Sequence, residues 1–351
     1  MAIDLDRMKR IAEDLYLTAV DATFGLEGPR ALRTLMDMLT QLYRAHDPAE
    51  RKDVLIVFIR PNGKGANTGL PSEMPITELV AATSVQHELD RPCRVEVTEN
   101  GRLRIFDIGT ADLAALSSEA IVYVYEDGTE KFYVGGKTFA VINPAPTYAS
   151  IFARPTFTSL EAALERYRTH VAPNTTCFIL SDVWSESKRL FLKAKPEAIM
   201  RRSLHQHLRT SFTDAEVRPE QVVDESHPVD IKVTWADTNR RAIIEIKWLG
   251  KSRNDDGTLA TPYSEARARE GAQQLADYLD SDRTAGPGLQ TKGYLIVFDA
   301  RRRGLNENSS TINADDGLFY RDRDITYNPA FHETRNDFAK PVRFFADPIL
   351  N

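Results

Sequence analysis

The sequence of 351 residues contains only two cysteines, Cys93 and Cys177, too few for a disulfide framework or a zinc site. We expect both to be small buried apolar residues. The sequence also lacks an apolar run of about 18 residues, so no membrane-spanning segment is predicted. Its first residues include acids where a signal peptide would have basic and then apolar residues. A cytoplasmic protein with no membrane contact is therefore predicted.

The sequence has no excess of positive charge, since its formal net charge of −6 disfavours nucleic-acid binding by the chain as a whole. Basic residues are nevertheless concentrated between Lys188 and Arg209, where seven of them accompany the single acid Glu197. This stretch has two interpretations, a phosphate-binding surface with salt-dependent affinity or a solvated helix face. The candidate nucleic-acid contacts in it are Lys188, Arg189, Arg201 and Arg202.

The first 185 residues are predicted to form an α+β domain, because helical and strand-like patterns occur there in mixed order. Its role is predicted to be regulation, specificity or assembly, through a homodimer or a partner protein. The predicted elements are helices over residues 3–22 and 28–46, a strand at Asp53–Arg60, hairpins turning at Asn100-Gly101 and Asp127-Gly128, a helix at Ser159–Val171 and a strand at Cys177–Leu180.

Residues 186–351 show a different pattern, in the order helix, strand, strand, strand, helix, strand. The polar remainder from Arg301 to Asn351 predicts no element. The chain as a whole is therefore assigned to the α/β class, with an α+β organisation overall. The predicted elements of this second domain are Pro196–Ser211, Glu216–Val223, Val229–Trp235, Ala242–Leu249, Tyr263–Asp280 and Gly293–Asp299.

Two neighbouring strands of this domain alternate polar and apolar residues. Asp230 lies on the polar face of the first strand, and Glu245 and Lys247 lie on the polar face of the second. If Asp230 pairs with Glu245 or Lys247, all three polar groups share one side of the sheet. A shift of one residue would place Asp230 opposite Ile246 and mix the two faces, which burial opposes. The pattern thus predicts two carboxylates and one ammonium close together.

This grouping is suited to phosphodiester hydrolysis. Mg²⁺ prefers oxygen ligands and commonly binds one or two carboxylates, so Asp230, Glu245 and the backbone carbonyl of Ile246 are the predicted metal ligands. Mn²⁺ is the expected substitute. The metal would activate a water molecule and stabilise charge on the phosphate, and Lys247 would orient that water or neutralise developing charge.

At these positions the sequence resembles the PD-(D/E)xK, or restriction-endonuclease-like, superfamily. Pro228-Val229-Asp230 matches the PD element with one inserted residue, and Glu245-Ile246-Lys247 matches the (D/E)xK element. The resemblance covers Lys193–Asp299. It implies an αβββαβ core with a mixed central sheet flanked by helices, and an additional acid on the helix before the sheet, where Glu197 stands.

The helix after the third strand resembles the QxxxY element of the RecB-like branch, through Gln274 and Tyr278. These residues are four apart and project from one side of a helix. The resemblance implies that Gln274 belongs with the catalytic residues and that Tyr278 contacts nucleic acid or supports the site. An alternative for both is ordinary packing at the helix edge.

The predicted function is a Mg²⁺-dependent nuclease that acts on DNA, with RNA as the less favoured substrate, in restriction or anti-phage defence by analogy. One alternative is a non-catalytic nucleic-acid-binding or assembly protein on the same fold. A second is a structural or interaction protein with an acidic surface and no nucleic-acid contact, and the corresponding alternative for Asp230, Glu245 and Lys247 is a cluster of surface salt bridges on a solvated sheet face. Glu197 would then be a first-turn acid favoured by the helix dipole.

Overall fold

The chain divides into two compact units, Met1–Thr158 and Ser159–Asn351. This division falls earlier in the chain than the predicted one between residues 185 and 186. No helix in the described ranges is both long enough and apolar enough to cross a membrane. The computed structural model describes residues 4–61, 73–76, 89, 91–109, 112–143, 145, 148–222, 228–285 and 289–351.

The first unit contains a mixed sheet with helices on both faces. In the order β2-β4-β3-β1-β5-β6-β7, strands β1 and β3 are parallel and the other neighbours are antiparallel. Its elements are α1 (Leu5–Phe24), α2 (Glu27–Ala45), β1 (Leu55–Ile59), β2 (Met74–Pro75), β3 (Cys93–Val97), β4 (Arg102–Asp107), α3 (Leu113–Glu119), β5 (Ile121–Glu126), β6 (Thr129–Val134) and β7 (Lys137–Ala140).

Strand β1 shows why the sheet is covered on both sides. All five of its residues are buried, and alternate residues belong to different apolar clusters. Leu55, Val57 and Ile59 pack with α1 and α2. Ile56 and Phe58 pack with apolar residues of α3. The two predicted helices and the predicted strand are confirmed. A continuous apolar strand requires cover on both faces, and helices pack on both faces here.

The two predicted hairpins of the first unit are also confirmed. Strands β3 and β4 turn through Gly101, and strands β5 and β6 turn through Asp127 and Gly128. The φ angles are 67° at Gly101, 48° at Asp127 and 72° at Gly128. These left-handed conformations favour glycine and tolerate aspartate, which is why the sequence signal was specific.

A carboxyl group is buried in the core of the first unit at Glu130 on β6, which is 5% exposed. Ser150 Oγ donates a hydrogen bond of 2.6 Å to Glu130 Oε1, and the hydroxyl of Tyr123 donates to the same oxygen. The Tyr123 hydroxyl also lies 2.8 Å from that of Tyr43. Burial raises the pKa of Glu130 to about 7, although the hydrogen bonds oppose the shift.

Replacing Glu130 with glutamine should remove a pH dependence of stability. The pKa of this carboxyl is about 7 in the folded chain, above its usual value of 4.5. Between these values the folded state holds the proton more tightly, so the free energy of unfolding falls as pH rises, by about 3 kcal/mol in total. In guanidinium titrations at about pH 5 and about pH 8, the Glu130→Gln variant should lack that fall in the transition of the first unit, which circular dichroism detects and tryptophan fluorescence does not.

Tryptophan fluorescence provides the internal control for this measurement. All three tryptophans, Trp184, Trp235 and Trp248, belong to the second unit. Their unfolding transition should be the same in the wild type and in Glu130→Gln. Equal pH dependence of the first unit in both proteins would show that Glu130 titrates normally.

The second unit is built on a five-stranded mixed sheet in the order β12-β11-β10-β9-β8. Strands β10, β11 and β12 are parallel, whereas β9 is antiparallel to both of its neighbours. Its elements are α4 (Phe157–His170), α5 (Phe178–Ser181), α6 (Pro196–Ser211), β8 (Glu216–Val222), β9 (Pro228–Trp235), β10 (Arg240–Leu249), α7 (Glu265–Ala285), β11 (Gln290–Asp299), α8 (Ala314–Gly317), α9 (Phe331–Thr334) and β12 (Val342–Phe345).

Helix α7 covers one face of this sheet. Its apolar positions at helical spacing include Ala268, Ala272 and Leu275, and they share a cluster with Ile243 of β10 and Leu295 of β11. The predicted order of helix, three strands, helix and strand is confirmed, and α6 has the predicted bounds. Val223, the predicted last residue of β8, lies outside the described residues.

Two regions differ from the predictions. The segment Cys177–Leu180 is not a strand, because Phe178–Ser181 forms the short helix α5. Cys177 is partly exposed, unlike the buried Cys93, so only the latter behaves as predicted. The polar C-terminal segment, for which no element was predicted, contributes the strand β12 (Val342–Phe345), which pairs in parallel with β11.

Candidate active site

The pairing of β9 with β10 brings the predicted carboxylates together. The ladder runs from Arg240 opposite Trp235 to Ile244 opposite Ile231. The next pair in this register would be Glu245 with Asp230, so the polar residues share one side of the sheet as predicted. The register that would place Asp230 opposite Ile246 does not occur.

Asp230 is fixed by two hydrogen bonds at the point where the ladder ends. Its Oδ2 accepts from the backbone N–H of Ile246 at 2.8 Å. Its Oδ1 accepts from Arg201 Nη1 at 2.8 Å. Asp230 is 6% exposed, so the guanidinium of Arg201 compensates a largely desolvated carboxylate.

Glu245 and Lys247 form a buried ion pair on β10, through Glu245 Oε1 and Lys247 Nζ. They are 1% and 3% exposed. The second carboxyl oxygen of Glu245, Oε2, is buried and has no hydrogen-bond partner among the described residues. Burial is the main cause that raises the pKa of Glu245 to about 8; the charge of Asp230 adds to the shift and Lys247 opposes it.

Glu197, in the first turn of α6, extends this group of acids. Burial raises its pKa, and the charges of Lys247 and Asp230 act on it in opposite directions. A weak ion pair of 3.9 Å joins Glu197 Oε2 to Arg267 Nη2. Glu197 therefore lies within electrostatic reach of the predicted site, and we call Glu197, Asp230 and Glu245 the carboxylate cluster.

One face of α7 packs against the side chain of Lys247. A Cβ atom added at Gly271 would lie 2.5 Å from Lys247 Cγ and 3.1 Å from its Cε. The missing side chain of Gly271 therefore leaves room for the lysine stem. Gln274 is three residues further along this helix, and its Nε2 donates to the hydroxyl of Tyr278. Tyr278 is 3% exposed and packs in the apolar cluster, which favours support of the site over contact with nucleic acid.

The four basic residues predicted to bind nucleic acid do not share one environment. Arg201 faces Asp230, and its side chain is 20% exposed. Arg202, the next residue of α6, is exposed to solvent. Lys188 and Arg189 are half-buried in a turn where Glu186 accepts the backbone N–H of Lys188. Arg201 is thus a residue of the carboxylate site, a role that the charge pattern did not predict.

Two clefts of the second unit differ in charge. The larger, of about 990 Å³, borders α4 and β12 and is lined by five acidic and four basic side chains. The smaller, of about 470 Å³, lies where β10 and β11 end, and its lining has four basic side chains and one acidic. Size alone would favour the larger cleft as a ligand site. A polyanion is better matched by the smaller one, because its lining is positive.

No protein-family model, curated protein or solved structure matched the chain. The resemblance to the PD-(D/E)xK superfamily is therefore carried by the order and spacing of a few residues. Chief among these are Asp230, Glu245 and Lys247.

Two carboxylates, Asp230 and Glu245, and the carbonyl of Ile246 are of the chemical type that a hard divalent cation prefers. Glu245 Oε2 is a buried oxygen without a partner in the described part of the chain. The N–H of Ile246 points away from β11 toward Asp230, and in a strand the C=O of the same residue points to the same edge. In residues that the structure describes, no three His, Cys, Asp or Glu side chains are arranged to hold a metal ion. Two carboxylates and a carbonyl match Mg²⁺, which commonly keeps several waters.

Two residues of the site were missed by sequence reasoning. Arg201 carried no signal beyond its membership of a basic stretch. Gly271 did carry one, because an isolated glycine inside a helical pattern costs about 1 kcal/mol relative to alanine and usually has a packing reason. That reason is the stem of Lys247.

Proposed function

We propose that the second unit is a Mg²⁺-dependent nuclease that hydrolyses phosphodiester bonds of DNA, with RNA as the second substrate class. The observation that carries the proposal is the buried grouping of Asp230, Glu245 and Lys247, in which Glu245 Oε2 has no partner within the described residues. Buried carboxylates that repel one another are costly to a fold, and such groupings are common at functional sites. The order of elements supports a restriction-endonuclease-like αβββαβ core.

Each residue of the site would have a distinct task. Asp230, Glu245 and the carbonyl of Ile246 would hold the metal ion. When bound, Mg²⁺ supplies an activated water and neutralises charge on the phosphate. The ammonium of Lys247, whose stem packs at Gly271, would stabilise negative charge as it develops on the phosphate oxygens.

Two existing contacts must change for this chemistry. Arg201 holds Oδ1 of Asp230, and Lys247 holds Oε1 of Glu245. A metal ion would compete with both cations for these oxygens. Glu197 would remain as an additional acid beside the ion, and Gln274 with Tyr278 would support the α7 side of the site.

A non-catalytic nucleic-acid-binding protein on the same fold is the second candidate. The observation that favours it is charge compensation. Asp230 is paired with Arg201, Glu245 with Lys247 and Glu197 with Arg267. A site whose acids are matched by basic partners could be structural.

A cleavage assay distinguishes the two candidates. Supercoiled plasmid, single-stranded circular DNA and RNA are incubated with the full chain in Mg²⁺, Mn²⁺ or EDTA. Cleavage is expected with either ion and not with EDTA, and Asp230→Asn should lower the rate by about a thousandfold. Asp277→Asn is the matched control, because it removes an exposed acid of α7 that bonds Gln273.

The result that would end the nuclease proposal is a folded wild-type chain that cuts none of these substrates with either ion. Salt-sensitive binding without cleavage would favour the non-catalytic candidate. Equal cleavage by Asp230→Asn and Asp277→Asn would remove Asp230 from the mechanism.

A further inference from the structure

The smaller cleft lies at the carboxyl ends of two parallel strands. Gly250 and Lys251 follow β10, Arg301 and Arg302 follow β11, and α7 begins at the same edge with Glu265. Ligands of α/β proteins commonly bind outside the carboxyl ends of parallel strands, and a helix N-terminus there attracts anions. The volume of about 470 Å³ is in the range of small-molecule sites.

The basic side chains of the cleft are only partly neutralised by acids. Arg301 and Arg269 share Glu265, at 3.0 Å and 3.2 Å. Arg301 also pairs with Asp299 at 2.8 Å, but that acid is shared with Arg343. The hydrogen bond of Lys251 Nζ goes to a neutral acceptor, the carbonyl of Leu305. Positive charge therefore exceeds negative charge around the cleft.

Arg302 is the basic residue of the cleft whose charge is most deeply buried, and burying that charge destabilises the fold. It is 7% exposed, and its guanidinium donates to the backbone carbonyls of Arg301, at 2.8 Å, and of Ala346. Its Nε is buried and has no partner among the residues described. Burial lowers the pKa of Arg302 to about 10 although three acids oppose the shift. The hydrogen bonds of this buried cation go to neutral acceptors, so an anion in the cleft would add to the charge compensation that the three acids provide.

The acids that act on Arg302 from neighbouring segments also have other partners. Glu186 accepts the backbone N–H groups of Lys188, Leu190 and Phe191. Asp347 Oδ2 pairs with Arg321 at 2.9 Å, and its Oδ1 is buried with no hydrogen-bond partner among the described residues. These acids therefore compensate the charge of Arg302 only in part.

Aromatic rings complete the lining. Tyr263, which is 38% exposed, contacts the ring of Trp248 at 4.6 Å between centroids. Arg301 lies over the ring of Tyr320 at 4.5 Å. Exposed rings beside arginines are typical of surfaces on which nucleic-acid bases stack.

The cleft is connected to the carboxylate cluster. Arg267 lies over the ring of Tyr263 at 5.2 Å and reaches Glu197 at 3.9 Å. Along β10, Lys247 precedes Gly250 by three residues, a separation of about 10 Å in a strand. The cleft and the carboxylate cluster are therefore close to one another in the second unit.

We propose that this cleft binds a nucleotide of a nucleic-acid strand, with its phosphate toward the basic side chains and its base against an exposed tyrosine. The choice of a strand over a free nucleotide rests on the proposed nuclease function. The residues that carry the site are Lys251, Tyr263, Arg269, Arg301, Arg302 and Tyr320.

The test compares two arginines of the same helix. Arg269 lines the cleft, and Arg283 lies near the other end of α7, where it pairs with Asp337. Binding of fluorescein-labelled single-stranded DNA to the full chain is measured by anisotropy in EDTA, at several salt concentrations. Arg269→Gln should weaken binding about tenfold and reduce the salt slope by about one, and Arg283→Gln should bind as the wild type does.

A second pair of variants tests the base contact. Tyr263→Ala should weaken binding about tenfold because stacking is lost, and Tyr263→Phe should restore it. Thermal unfolding checks that all variants fold. Equal weakening by Arg269→Gln and Arg283→Gln, or no DNA binding by the wild type at low salt, would overturn the site.

The phosphate that the cleft binds could belong to a nucleic-acid strand or to a free small molecule, and competition with thymidine monophosphate and with inorganic phosphate distinguishes these sources. If either binds the wild type as tightly as the oligonucleotide does, and Arg269→Gln weakens it equally, the strand assignment is overturned. Binding in EDTA is independent of cleavage. If the chain binds DNA as expected but never cuts it, the proposed site stands and the proposed nuclease function is rejected. If the chain cuts DNA but the variants do not affect binding as expected, only the proposed site is rejected.

Discussion

A Lys247→Met variant should cleave DNA about a thousandfold more slowly than the wild type at saturating Mg²⁺, with a smaller effect on substrate affinity. The ammonium is expected to act on charge that develops during the reaction, so its loss lowers kcat more than it raises KM. Methionine keeps an unbranched stem beside Gly271, where Lys247 Cγ packs closely, so the helix α7 should remain in position. Plasmid cleavage kinetics measure the effect.

Lys232→Met is the matched control for this experiment. Lys232 lies on the adjacent strand β9, opposite Ile243, and is half-buried. The two variants make the same chemical change on the same sheet, but Lys232 is outside the carboxylate cluster. If both variants cleaved at similar rates, the role proposed for Lys247 would be wrong.

The sequence contained enough information to predict the pairing of β9 with β10. Alternation left one register in which the apolar side chains stay buried, and the observed ladder from Arg240 to Ile244 has that register. The bounds of α6 were predictable for a related reason. Pro196 provides a first-turn residue, and apolar spacing continues to the end of the helix.

Short apolar segments and distant pairings were less predictable. Cys177-Phe178-Ile179-Leu180 reads equally well as a strand or as a turn of helix, and the structure has a helix in which Phe178 is 90% exposed. Strand β12 (Val342–Phe345) is defined by its pairing with β11, more than 40 residues earlier in the chain. Local patterns do not encode such a partner.

The candidate site shows the same limit at the level of single side chains. The spacing of Glu245 and Lys247 on one strand was sufficient to predict that they share a face. Arg201 is different, because its neighbour Arg202 has the same charge and is exposed to solvent. Only the packing of α6 against the sheet determines that Arg201 reaches Asp230. A charge pattern predicts a basic surface but not which of its members turns inward.

The double variant Glu245→Leu/Lys247→Met should be more stable than the wild type near neutral pH, by about 1–4 kcal/mol, although it should not cleave DNA. The folded chain holds Glu245 with a pKa of about 8, above the usual 4.5. The free energy of unfolding therefore falls as pH rises from 4.5 through 8, and most of that cost is present at neutral pH. Replacing a buried ion pair with apolar side chains of similar size is often stabilising. Ile243 and Leu295 provide apolar surroundings on this face.

The pH series supplies the control for the double variant. In EDTA, guanidinium titrations followed by tryptophan fluorescence report on the second unit, because all three tryptophans lie there. The gain should be largest above pH 8 and should become smaller as the pH falls, reaching its minimum below about pH 4, where Glu245 is mostly protonated in both folded and unfolded chains. A double variant less stable than the wild type at every pH would show that the ion pair holds the sheet together. A gain that follows the titration of Glu245 would show that the fold retains these residues at a cost to its own stability, as expected of a site kept for its chemistry.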